Sequence, residues 1–105
     1  MATKTRKQML EGMLADQPDD PELHYMLAME YASAGDDAEA VRRFEKLLAV
    51  APSHVAAYHQ GGRALQRLDR IAEARAWLTR GMDLALKQNN EHAAGEMQQL
   101  LEILE

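Results

Sequence analysis

A pattern of side chains returns after 34 residues in this sequence, and that return limits the fold more than any other feature. Tyr58 stands 34 positions after His24, Leu65 after Tyr31, Ala74 after Ala40 and Leu78 after Phe44. A fixed period of this length marks an array of small supersecondary units, each burying its apolar face against a neighbour. Inside the period, apolar residues recur at three- and four-residue steps, the spacing of helices. The palette agrees, because Ala, Leu, Glu, Gln and Met are plentiful while aromatics make up only 5%, which suits helices and offers little to a sheet. The expected fold is therefore all-α, about six helices arranged as antiparallel hairpins. A chain of 105 residues is one domain by size.

Taken in order, Met9, Leu10, Met13 and Leu14 predict a helix over 3–16, broken by Asp16-Gln17-Pro18-Asp19-Asp20. Asp20-Pro21 is a helix start, an acidic N-cap followed by Pro at the first helical position. Leu23, Leu27 and Tyr31, with Met26 and Ala28, form a buried stripe as far as Ala34. Gly35 supplies the turn, since it accepts positive φ without a Cβ clash. Asp36-x-x-Glu39 reads as a capping box, opening a helix whose apolar face is Ala40, Val41, Phe44, Leu47 and Leu48. Ala51-Pro52 ends it. Ser53 is the candidate cap for a helix over His54–Leu68, and Ile71–Lys87 is that helix's partner. Asn in Lys87-Gln88-Asn89-Asn90 caps a last helix with Ala93, Met97, Leu100, Leu101 and Leu104 on one face. Strict counting of the period would instead put His92, Gly95, Glu96 and Gln99 there, so this helix reads as a cap that closes the apolar end of the array.

The residues from Pro21 to Pro52 carry more than a period. His24-x2-Leu27-Ala28-x2-Tyr31, then Ala40-x3-Phe44, then Pro52, follow the spacing W-x2-L-G-x2-Y, A-x3-F, P. In this the sequence resembles the tetratricopeptide repeat family. The resemblance spans nearly the whole chain: a helix over 3–16, repeats over 21–54 and 55–88, and a capping helix over 90–105. It departs from the pattern where His24 and Tyr58 replace Trp, where Gly61 replaces a Leu beside Gly62, and where Gly81 and Leu86 stand for Leu47 and Pro52.

The resemblance implies hairpins stacked in a right-handed superhelix, with the first helix of each hairpin lining a concave groove for a peptide or protein segment. It implies a non-catalytic interaction module. The groove positions are Glu22, Tyr25, Met29, Ala32 and Ser33 in the first repeat, and Ala56, His59, Arg63, Gln66 and Arg67 in the second. Tyr25 and Met29 would offer an apolar strip, and methionine adapts to varied shapes. His59, Arg63 and Arg67, spaced i, i+4, i+8, would offer a stripe for an acidic group. The plain alternative is a solvated face whose arginines pair with Glu22 or Asp69. Family members that clamp a chaperone's C-terminal carboxylate use Lys and Asn where this chain has Tyr25 and Met29, which argues against that activity.

Charge and composition exclude other classes. A net charge of −5 argues against nucleic acid, whose binding rests on neutralised phosphates. The charge is uneven, however: Arg63, Arg67, Arg70, Arg75 and Arg80 face only Asp69 and Glu73 over residues 54–80. Without Cys there is no disulfide or thiolate metal site. His24, His54, His59 and His92 are not spaced to share one side of a helix, so no metal or cofactor is expected. Asp19-Asp20 and Asp36-Asp37 precede helices, where capping explains them without acid–base catalysis. No signal sequence or membrane span is visible, and the expected setting is cytoplasmic. Trp77 should pack against the C-terminal helix. Ile103 falls off that helix's main face and offers a second copy a contact, making a self-assembling homodimer the alternative to peptide binding.

Overall fold

The protein is described by a computed structural model covering residues 3–104. Among these residues there are six helices and no strand: α1 (Arg6–Asp16), α2 (Pro21–Ser33), α3 (Asp37–Val50), α4 (Val55–Arg67), α5 (Ile71–Lys87) and α6 (Glu91–Ile103). The all-α expectation holds. The chain divides after Pro52 into two compact units, the first holding α1 to α3 and the second α4 to α6.

In the first unit, α1 begins at Arg6 and not at residue 3, because Thr5 caps it. The Thr5 hydroxyl accepts from the Gln8 N–H at 3.1 Å, and the Gln8 side chain accepts from the Thr5 N–H at 2.9 Å, which satisfies two otherwise orphaned donors. Asp20 caps α2 as expected, accepting from the Glu22 N–H at 2.9 Å with Pro21 next in line. The turn from α2 to α3 passes through Gly35 at φ 82°, where the Asp36 N–H donates to the Tyr31 carbonyl at 2.9 Å. Only half of the expected capping box at Asp36 forms. Its carboxylate accepts from the Glu39 N–H, but the Asp36 N–H is already taken by Tyr31, and the Glu39 carboxylate turns to Arg42 and Arg43. Leu10, Leu14 and Leu27 join α1 to α2, with Leu23, Met26 and Tyr31 packed around them. Ala28, Ala40, Phe44 and Leu47 are fully buried where α2 meets α3.

In the second unit the cap of α4 is His54 and not Ser53. The His54 Nδ1 accepts from the Ala57 N–H at 3.1 Å, while Ser53 contributes its carbonyl to the Gln88 side-chain amide at 3.0 Å. Ala57, Gly61, Gly62, Ala64 and Leu65 form the buried side of α4. Close approach explains Gly62 and Gly81. A Cβ on Gly62 would lie 2.7 Å from the Leu78 side chain, and one on Gly81 would lie 2.7 Å from both Tyr58 Cβ and Met97 Sδ. Trp77 is half-buried, and its ring contact is an edge-on one with Tyr58 of α4 at 6.0 Å. Asn90 caps α6, accepting from the Ala93 N–H. Ala94, Met97 and Leu104 are buried on α6, whereas His92, Gly95, Glu96 and Gln99 are exposed, so its phase is the one read from the apolar residues.

The turn from α4 to α5 repeats the Gly35 turn 34 residues on, but with Asp69 at φ 60°. The bonding is the same, the Arg70 N–H donating to the Leu65 carbonyl at 2.9 Å. Asp tolerates the left-handed region at a cost that Gly does not bear. Asp69→Gly should therefore raise the urea unfolding midpoint, by about 0.5 kcal/mol in free energy. A lowered midpoint would show that the Asp69 carboxylate, and not its backbone, decides the turn.

Candidate functional site

The buried side of α2 carries His24, Leu27 and Ala28, and its outer face carries Tyr25, Met29 and Ser33 at successive turns. Ser33 is exposed, while Met29 and Tyr25 are half-buried. Tyr25 is not a free-standing anchor, since its ring lies tilted against Phe44 with centroids 6.1 Å apart. Burial, helped by the nearby Glu22 charge, raises its pKa, so the phenol stays a protonated hydrogen-bond donor.

On α4 the packing leaves His59, Arg63, Gln66 and Arg67 on one face, opposite Ala57, Ala64 and Leu65. Arg63 and Arg67, one turn apart, are exposed, and Gln66 and His59 are half-buried. Burial lowers the His59 pKa, the Arg63 charge acts in the same direction, and Glu96 of α6 opposes them. The expected cationic stripe is therefore two guanidiniums beside an imidazole that favours its neutral form. Glu96 entered this site unannounced, because its proximity depends on the phase of α6.

The wider cluster of arginines is partly used in holding the fold. Arg70 grips the Glu73 carboxylate with two bonds of 2.9 and 2.6 Å, which lowers the Glu73 pKa. Arg75 donates to the Leu104 carbonyl at 2.7 Å. Histidines also have separate local tasks: His24 Nε2 is 2.7 Å from the Pro18 carbonyl, His54 caps α4, and His92 lies 2.9 Å from Glu96. Among the described residues no group of three or more His, Asp or Glu is placed to hold a metal, and no helix is long and apolar enough to cross a membrane.

A family model described as tetratricopeptide repeat matches residues 7–61, from α1 into α4 and over half of the chain. Among solved structures, a tetratricopeptide repeat domain protein from Salinibacter ruber in solution is 28% identical with a TM-score of 0.77, over 84% of this chain and 89% of that one. A crystal structure of a Salinibacter ruber tetratricopeptide repeat domain protein gives 27% identity and a TM-score of 0.75, over 81% and 94%. The solution structure of a protein from Bordetella parapertussis is 25% identical with a TM-score of 0.84, over 97% and 89%. No curated protein matches the chain. The helix hairpins, the 34-residue period and the family match agree, and the chain belongs to the tetratricopeptide repeat family.

Proposed function

We propose that this chain is a non-catalytic protein interaction module in which the outer face of α4 binds an acidic peptide or protein segment. In this reading residues 1–105 act as one module, with 3–16 and 90–105 as its caps. The observation that carries it is the exposed pair Arg63 and Arg67 on the face of α4 that packing leaves over. Two guanidiniums one turn apart suit carboxylates, which each can grip with parallel hydrogen bonds. Tyr25 and Met29 on α2 offer an apolar strip of their own.

The test uses fluorescence anisotropy with a peptide library that pairs Glu/Asp with apolar residues. For the tightest binders, Arg63→Ala and Arg67→Ala should each weaken affinity about tenfold or more. The Glu→Gln peptides should bind the native chain as weakly as the variants bind the acidic ones. Unchanged affinity in the double variant would overturn the assignment. Self-assembly is the second reading, and the observation in its favour is Ile103, 70% exposed at the end of α6.

A further inference from the structure

Helix α1 carries its charges against its own dipole. Its first turn holds Arg6 and Lys7 and no acid, and Asp16 closes a last turn that holds no base. The positive end of a helix favours acids and the negative end favours bases, so both ends are wrongly charged for a helix standing alone. The same helix exposes Met9 and Met13 at 50% and 51%, one turn apart on a single face. Gly12 lies beside them, and a Cβ there would meet nothing within 4 Å. Nothing within the described chain calls for glycine at that point, where Ala would favour the helix.

Arg6 lies three residues before Met9, and Asp16 three residues after Met13, so all four share one stripe. The stripe is symmetric about Glu11: the two methionines are each two residues from it, and Arg6 and Asp16 each five. Glu11 itself is turned elsewhere, accepting from the Tyr31 hydroxyl at 3.0 Å. We propose that this stripe is a self-complementary contact, with α1 of one copy lying antiparallel against α1 of a second copy. One register then sets Met9 of each copy against Met13 of the other and Arg6 of each against Asp16 of the other. That is the arrangement a two-fold axis demands. The basic first turn of each helix meets the acidic last turn of the other, and Gly12 lets the backbones approach. Arg6 already touches Glu30, but its side chain remains 60% exposed, and a guanidinium has five donors to share.

Two helices of 11 residues bury far less than the roughly 1,200–2,000 Å² of a stable interface, so the dimer is weak and concentration-dependent. Sedimentation equilibrium from about 10 μM to about 1 mM, where a contact this small would act, tests it. The native chain should rise towards twice the monomer mass, and Met9→Glu/Met13→Glu should stay monomeric. Arg6→Glu alone and Asp16→Arg alone should each weaken association about tenfold, through like charges in both cross pairs. An equimolar mixture of the two should regain it, because only the mixed dimer pairs opposite charges at both ends. Each single change aligns α1 with its dipole, and circular dichroism checks that the helices persist. Three results would overturn the proposal: a native chain monomeric throughout, association that survives the methionine changes, and a mixture no stronger than its parts. Association lost instead in Ile103→Glu would move the contact to α6.

Discussion

Phe44→Ala is expected to lower the free energy of unfolding by about 3–5 kcal/mol. Phe44 heads the fully buried side chains and is 0% exposed, and its removal leaves a space that the surrounding helices fill only in part. For a domain whose total stability is on the order of 5–15 kcal/mol, that is a large share. The measurement is urea unfolding followed by circular dichroism, with the midpoint falling and the slope little changed. The damage should reach the candidate face as well, because Tyr25 leans on the Phe44 ring at 6.1 Å. Phe44→Leu should cost markedly less, since Leu78 fills the corresponding place 34 residues later and is itself 0% exposed. A loss below about 1 kcal/mol for Phe44→Ala, far outside the range for a buried aromatic, would show that the core of the first unit closes without it.

The second large effect is a substitution that the repeat pattern would recommend. Leu47 stands 34 positions before Gly81 and is fully buried, so Gly81→Leu restores the regular residue and removes a glycine from the middle of α5. By helix propensity alone it should gain about 1 kcal/mol. It is nevertheless expected to destabilise the chain by about 3 kcal/mol, because overpacking a closed site forces neighbours off their rotamers. The first atom of the new side chain would already sit 2.7 Å from Tyr58 Cβ and from Met97 Sδ. The methionine sulfur can move, but Tyr58 Cβ is tied to the backbone of α4. Thermal melting should show the fall, and Gly81→Leu/Met97→Ala should recover only part of it. A rise in melting temperature would mean that α4 and α5 separate more easily than their contact suggests.

These cases show what kind of information the sequence carries. Helix starts at Asp20-Pro21 and Asn90, and the Gly35 turn, were legible because a cap or a positive φ is decided within a few residues. The choice of His54 over Ser53 was not, since both can accept a hydrogen bond and geometry selects between them. Asp69 gives no comparable sign of its left-handed backbone, because Asp only tolerates what Gly signals. The face on which Arg63 and Arg67 lie followed from helical phase. Its chemistry did not, because the neutral tendency of His59 comes from burial, which outweighs the opposing charge of Glu96 arriving from another helix. The arginine-rich stretch looked like one cationic feature, yet the hydrogen bond from Arg75 to Leu104 crosses 29 residues and withdraws that arginine from it.

That bond belongs to a recurring type. Arg75 reaches the Leu104 carbonyl, His24 the Pro18 carbonyl, and Gln88 the Ser53 carbonyl. In each, a side chain on one element fastens the main chain of a loop or a helix end. Such a clasp has a single genetic handle, since every residue type supplies a carbonyl and only the donor can be mutated away. For the fastening itself the side chains at positions 18, 53 and 104 are immaterial, and those at positions 24, 75 and 88 decide it. Where the chain's ends and turns are tied down, the tie is written on one side only.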